Sequence, residues 1–422
     1  MILIIAVSSA SLLLVLVARA LLVRERSFVV KTPPPVVIDA ASAAKKLSGA
    51  VRIKTIACDD ISGRDMKAFR DFARYLGRAF PAVHRVMTRE AAGGASLLYR
   101  WHGRDTAMKP ALFCAHIDVV PVESGTGDQW RYPPFSGAIK EGSVWGRGTL
   151  DIKNQLVALL EAAELMIEQG FVPERDIYFA FGHDEETRGN EGADVMAAML
   201  KERGVSLEYV LDEGANVLDN AGGGIKRPVA FIGIAEKGFV NVHISARGAM
   251  GHSSMPPMHT AAGRIARAVA AIESKMRPPV MTRPVLEMIR ALAPAMPLAH
   301  RVIMANLWLL LPVFKRVWGR TQSGSAYLRT TAAPTMLLGS NAPNVLPQSA
   351  SAVVNARIIH GESSASLRSH LEKAVNDRVV TFEMRQVYEP SSVSPADSPA
   401  FNSLAGVIKA LWPHAVIVPC LV

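Results

Sequence analysis

The sequence predicts an α/β protein with a second, antiparallel part and an apolar N-terminal helix, and three observations carry that expectation. A six-residue apolar run, Ile177 to Gly182, breaks abruptly into the loop HDEETRGNEG, which is how a central strand buried on both faces ends. Before it, a second apolar run, Ala111 to Val122, is followed by a stretch with helical spacing, Trp145 to Gly170, and strands interleaved with helices indicate an open α/β sheet. From Pro228 onward the texture changes: Val229 to Gly233 and then Val240 to Ser245 alternate like strands of an antiparallel sheet.

At 422 residues the chain is long enough for two domains, or for one large domain carrying an insertion. Half of the residues are hydrophobic and 20% are charged, so a sizeable core is available and wholesale disorder is excluded. The net charge is +10, yet Lys and Arg are scattered, with no basic run or aromatic-basic alternation. That excludes a nucleic-acid partner and leaves a mild bias toward acidic substrates or anionic membrane surfaces. Cys58, Cys114 and Cys420 make neither a disulfide framework nor a CxxC pair, so the compartment stays open.

Residues 1–26 open with Met1 to Val23, apolar apart from three serines and Arg19, with Arg24 and Arg26 directly after. That length spans a bilayer as a helix, and an uncleaved membrane anchor is expected, with a cleaved signal peptide as its competitor. Arginines on the downstream side favour a cytoplasmic main domain, though the side stays open. Residues 27–40 contain Pro33, Pro34 and Pro35, which suit an extended tether.

The chemistry begins at the strand ends, because ligands of open α/β sheets bind beyond the carboxyl ends of the strands. Ala111 to Val122 delivers His116, with Asp118 two positions on. Residues two apart on extended backbone lie on one side, so Asp118 can fix the imidazole tautomer. The alternative is a satisfied core histidine. Asp151 stands at the entrance of the helix Trp145 to Gly170, either as its cap or as a ligand. Glu185 and Glu186 follow the strand Ile177 to Gly182. They are either a solvated acidic turn or a pair in which one carboxylate holds a metal and the other acts as general base. Leu207 to Leu211 is a third apolar run and ends in Asp212. One histidine and three carboxylates thus converge on one crevice, a donor set that suits zinc, with a shared carboxylate suiting two ions roughly 3.5–4 Å apart.

Farther on, His259 to Met276, Ser363 to Asn376 and Pro399 to Trp412 read as helices, and Ser351 to Ile359 and Ala415 to Val422 as strands. Val302 to Phe314, with Asn306 and Pro312 inside it, is too short and broken for a membrane span and reads as a lid element or partner-facing helix.

The ordered motifs AHIDVVP, WGRGTLDIK, GHDEETRG, VLDEG, GHSSMPP and NVLP resemble those of the M20 metallopeptidases, nearest to the carboxypeptidase S, Gly-X carboxypeptidase and N-acyl-amino-acid hydrolase branch. The resemblance implies a mixed-sheet α/β zinc-hydrolase catalytic domain (residues 41–227 and 358–422) with an inserted smaller α+β lid or dimerisation domain (228–357). It implies that His116, Asp151 and Asp212 hold one zinc, with Asp151 bridging to a second that Glu186 also holds. Glu185 would be the general base, Asp118 would orient His116, and His252 would stabilise the oxyanion from the lid, often across a homodimer. Asn344 and Arg357 resemble substrate-contacting positions, the arginine being suited to a carboxylate. The substrates implied are short peptides or N-acyl amino acids, cleaved at an amide next to a free C-terminal carboxylate.

Two departures qualify the resemblance. His360 stands where a proline is usual, and the family's second-zinc histidine comes from a Gly-rich segment beyond a strand like Ala415 to Val422, whereas no histidine follows His414 here. Either the sequence is a fragment of a longer reading frame or the protein is truncated and impaired; with Asp151 and Glu186 alone the second zinc would be short of ligands, so weak second-metal binding and slow turnover are expected of the 422 residues. The competing function is a membrane-tethered, non-catalytic binding protein that keeps the fold with an incomplete second site; Glu185, which a pure binder does not need, argues against it.

Overall fold

The computed structural model describes residues 2–30, 36–58 and 63–422, so the triple proline of the expected tether lies outside the described residues. The chain divides into two compact units, one of Pro33–Glu213 and one of Met1–Thr32 with Gly214–Val422.

The Pro33–Glu213 unit is built on a five-stranded mixed sheet in the order Thr88–Ala92, Ser96–Trp101, Ile177–Gly182, Ala111–His116, Tyr209–Leu211. The last three strands run parallel and the first two are antiparallel additions. Both faces are covered, which is why Ile177–Gly182 is apolar at successive positions rather than at alternate ones. Phe179 and Phe181 point to a layer that includes Phe69, Phe72 and Leu76 from the helix Met66–Ala79 and Leu156 and Leu160 from Lys153–Glu168. Tyr178 and Ala180 face the opposite way, onto Met196 and Leu200 of the helix Ala193–Glu202. Burial of each such large side chain stabilises the unit by roughly 2–3 kcal/mol.

In the other unit a four-stranded antiparallel sheet runs Thr331–Leu338, Ser349–Ile358, Gly238–Arg247, Thr381–Tyr388. Val240, Val242 and Ile244 pack with Ile265 and Ala268 of the helix Ala261–Ser274 and with Leu367 and Leu371 of Ser364–Val375. Val229–Ala235 does not join this sheet, contrary to its alternating appearance. It pairs in parallel with the last strand, Val416–Leu421, in a separate three-stranded sheet. The reason is burial on both faces, Val229 and Ala235 against one cluster and Ala230, Ile232 and Ile234 against another.

The stretch expected as one element over Val302 to Phe314 is two helices, Leu298–Ala305 and Leu307–Trp318, bent by 113°. The break falls at Asn306, not at Pro312. Fully buried Asn306 turns its amide onto the Val302 carbonyl and so stops the first helix. A second Asn306 bond reaches the Leu16 carbonyl, and Arg19 Nε donates to Asn306 Oδ1 at 3.1 Å. These bonds fasten the end of the expected N-terminal helix to the bent pair. The helix Ile2–Leu22 forms as expected, but its C-terminal turns are built into this unit, and among the described residues no single helix is long and apolar enough to cross a membrane.

Candidate active site

Parallel register brings three strand ends side by side, His116 opposite Gly182 and Phe113 opposite Leu211. The chain leaves the sheet there through His116, through the loop bearing Glu185 and Glu186, and through Asp212. The His116 ring is buried, and its Nδ1 donates to the backbone carbonyl of Asp118 at 2.8 Å, with Asp118 Oδ1 at 3.4 Å. The ring is fixed by the backbone carbonyl of Asp118, with the carboxylate that the spacing suggested standing farther off, and Nε2 is turned toward the crevice. Around Nε2 lie Asp151 Oδ1 at 3.1 Å, Glu213 Oε1 at 3.7 Å and Glu185 Oε2 at 3.8 Å. The Asp118 carboxylate, fully buried, also accepts the backbone amides of Glu185 (3.2 Å) and Glu186 (3.0 Å). One residue therefore orients the imidazole through its backbone carbonyl and pins the glutamate pair through its carboxylate.

Asp151 does not cap the following helix. Lys153–Glu168 has Ile152 at its cap position with no side-chain bond, and the Asp151 carboxylate, 67% exposed, faces His116 instead. Asp212 differs from expectation as well. Its Oδ1 accepts the amide of the adjacent Glu213 at 2.9 Å, and of the two carboxylates it is Glu213's that comes within 3.7 Å of the imidazole. Two donor sets result, each with its ligand atoms within 4.8 Å of one another: His116, Asp151, Glu186 and His116, Glu185, Glu213. His252, Asn344 and Arg357 belong to the other unit. His252 lies in a two-residue strand paired with Val345–Leu346, its Nδ1 2.8 Å from Ser254 Oγ, and the Asn344 carbonyl accepts the Ser253 amide. Arg357, at the end of Ser349–Ile358, stacks its guanidinium over the Phe239 ring at 4.8 Å.

Several supporting residues had no signal in the sequence beyond lying in or beside a motif. His183, completely buried, contacts Ser96 Oγ through Nδ1 (2.6 Å) and Arg64 through Nε2 (3.2 Å), and Arg64 in turn pairs with Glu191. The Asp184 carboxylate accepts the Glu191 amide at 2.8 Å, and its carbonyl gathers the amides of Arg188 and Gly189. The glutamate loop is thereby folded on itself. Lys153 Nζ donates to the carbonyls of Ala50 and Ile53, fastening the chain just beyond Asp151, and burial lowers its pKa to about 7.

Electrostatics show what the cluster lacks. Burial pushes Glu185 and Glu186 above the ordinary carboxylate range, with neighbouring carboxylates such as Asp151 and Asp118 adding to the rise and His116 opposing it, and burial pushes Glu213 up to about 7. Burial alone would lower His116, but Asp118, Glu185 and Glu213 together raise it to about 10. Glu186 Oε1 is buried with no hydrogen-bond partner. An imidazole nitrogen, crowded carboxylates and an orphaned oxygen fit a divalent cation, which would relieve the repulsion and satisfy that oxygen.

These shifts set a pH dependence. His116 and Glu213 both hold their protons more tightly in the folded chain than in an unfolded one, where they titrate at about 6.5 and 4.3. These two groups bind more protons in the metal-free folded chain and so lower its stability as pH rises toward neutrality, whereas above about pH 7 the lowered Lys153 acts in the opposite sense and offsets His116. Thermal unfolding of the chelator-treated chain is expected at progressively lower temperature from about pH 5 to about pH 7, with the slope flattened by added zinc. A metal-free melting temperature that rises over this range would contradict the cluster as described.

The sequence profile of peptidase family M20/M25/M40 matches residues 112–421. The chain belongs to peptidase family M20. Among relatives, a probable carboxypeptidase S-like 2 of Dictyostelium discoideum is 36% identical over 385 residues, covering 90% of this chain and 73% of its own. An N-fatty-acyl-amino acid synthase/hydrolase of Homo sapiens is 34% identical, covering 88% of this chain and 74% of its own. The fold of this M20 chain is also that of an M20 metallo-carboxypeptidase from Sulfolobus solfataricus (TM-score 0.63, 14% identity, 91% of this chain and 86% of that one) and of human carnosine dipeptidase 1 (TM-score 0.61, 16% identity, 92% and 88%). The M20 chain is accordingly an enzyme, a metal-dependent amide hydrolase, and the non-catalytic alternative falls.

Proposed function

We propose that this M20 enzyme hydrolyses the amide next to a free C-terminal carboxylate in short peptides or N-acyl amino acids, with zinc as its metal, one ion held firmly and a second only weakly. The observation that carries the reading is a buried imidazole ringed by carboxylates of which one, Glu185, is half exposed and raised in pKa. His116, Asp151 and Glu186 would hold one ion, with Asp212 or Glu213 completing the set. Bound zinc supplies Lewis acidity at the carbonyl and acidifies a water. Glu185 takes a proton from the attacking water and returns it to the leaving amine, a role for which a raised pKa fits it. Asp118 holds both ends of this arrangement. His252 donates to the developing oxyanion, with Asn344 beside it, and Arg357 receives the substrate carboxylate through its planar fork. The lid residues 228–357 pair two copies in a homodimer, and the N-terminal apolar helix holds the enzyme at a membrane, near substrates with long acyl chains.

Dialysis against a chelator followed by add-back tests the core of this. An N-acyl amino acid is expected to be cleaved only after zinc returns, and its methyl ester, which lacks the free carboxylate, to be cleaved about 100-fold less efficiently. Full cleavage by metal-stripped protein, or equal cleavage of the ester, would sink the proposal.

A further inference from the structure

The helix Arg283–Leu292 has two unlike sides. Val285, Met288 and Ile289 are buried in one cluster with Val416, Val418 and Cys420 of the last strand. Arg283, Glu287 and Arg290, spaced by four and three positions, stand together on the opposite side. That polar side lines a cavity of about 300 Å³. Its other walls are Ile417 and Pro419 of the last strand, Phe401 of the helix Pro399–Leu411, and the segment from Arg24 to Phe28. All of these residues belong to the unit of Met1–Thr32 and Gly214–Val422.

Most of the charges here are committed to holding the walls. Arg26 donates to the Ala396 carbonyl at 2.6 Å and to Asn402 Oδ1 at 2.8 Å, and its guanidinium lies over the Phe28 ring, which in turn packs on Phe401. Glu25 pairs with Arg227 and Lys409. Arg283 Nε donates to Glu287 Oε1 at 2.8 Å, and the exposed Asp397 supports the charge of Arg283. What is left over is two guanidiniums and one carboxylate oxygen. Arg24 and Arg290 have no ion pair or hydrogen bond among the described residues, and Glu287 Oε2 is buried with no partner.

These leftovers select a ligand. Unpaired guanidiniums call for an anion, and a carboxylate matches their planar fork. A buried carboxylate oxygen without a partner calls for a donor. A plain anion would meet the arginines and leave Glu287 Oε2 orphaned and repelled; a plain amine would do the converse. Phe28, Phe401, Ile417 and Pro419 add an apolar surface. Ligand pockets run from about 300 to 1,000 Å³, so this one stands at the small end, with room for a single amino acid rather than a peptide or a long acyl chain.

We propose that this cavity binds a free α-amino acid with an apolar side chain, its carboxylate on Arg24 and Arg290, its ammonium on Glu287 and its side chain against Phe28 and Phe401. Such an amino acid is the class of product that the proposed hydrolysis releases; that connection alone rests on the proposed function, since binding needs no turnover.

Calorimetric titration of the chelator-treated full chain tests this. L-Phenylalanine is expected to bind, and 3-phenylpropionate, which lacks the ammonium, and 2-phenylethylamine, which lacks the carboxylate, to bind at least about tenfold more weakly. Arg290→Gln and Glu287→Gln are each expected to weaken phenylalanine about tenfold with hydrolysis unchanged, and Arg290→Gln, at an exposed side chain, to keep the parental melting temperature. No binding of phenylalanine by the parent would overturn the proposal. Equal binding of phenylalanine by parent and both variants would place the ligand elsewhere and overturn it too. Binding of 3-phenylpropionate as tight as that of phenylalanine, and lost in Arg290→Gln, would reduce the cavity to a plain anion site and sink the amino-acid reading. Failure of the parent to cleave any N-acyl amino acid would overturn the proposed function and leave this site standing.

Discussion

Replacing Glu185 with glutamine is expected to lower turnover by roughly a thousandfold while leaving metal content unchanged. Glutamine keeps the shape of the side chain but cannot accept the proton of the attacking water. The backbone amide of residue 185 still reaches Asp118, so the loop keeps its place. Glu186→Gln is the informative contrast. Its Oε1 is the orphaned buried oxygen and belongs to the donor set with His116 and Asp151, so this change should cost metal as well as rate. Elemental analysis beside steady-state kinetics separates the two. Retention by the Glu185 variant of more than about a tenth of the parent turnover would remove Glu185 as the base.

Asp118→Ala is expected to be the most damaging single change away from the carboxylates that face the crevice. It strands two backbone amides, of Glu185 and Glu186, and takes the carboxylate away from His116. Loss of a carboxylate that orients a ligand histidine typically weakens metal binding 10–100-fold, and a broken buried pair costs about 3–5 kcal/mol of stability. Zinc competition titration and thermal denaturation should both move. Parental zinc affinity in this variant would mean that the Glu185–Glu186 loop holds itself, through Asp184, His183 and Arg64, without Asp118.

The parts legible in the sequence were those that local pattern encodes. Ile177–Gly182 could be read because a strand covered on both faces has no polar side to show, and His116, Asp151, Glu185 and Glu186 because they follow strand ends or open a helix. Val229–Ala235 misled for the same physical reason, since small residues interleaved with large ones look like alternation even when both faces are buried. What spacing could not show is long-range. His183 meets Ser96 across 87 residues and Arg64 across 119. Likewise which of the adjacent carboxylates Asp212 and Glu213 comes near His116 is not set by spacing, and Asn306 is bonded to a carbonyl 290 residues away.

That last contact bears on how the protein is prepared. Trimming an apolar leader before expression is routine, but here a cut after Val23 would take away the Leu16 carbonyl and the Arg19 guanidinium that share Asn306. The shortened chain would carry an uncovered asparagine at the bend and a larger greasy face around Trp308. Keeping residues 1–23 in the expressed chain is the course that keeps the bent pair folded as it is.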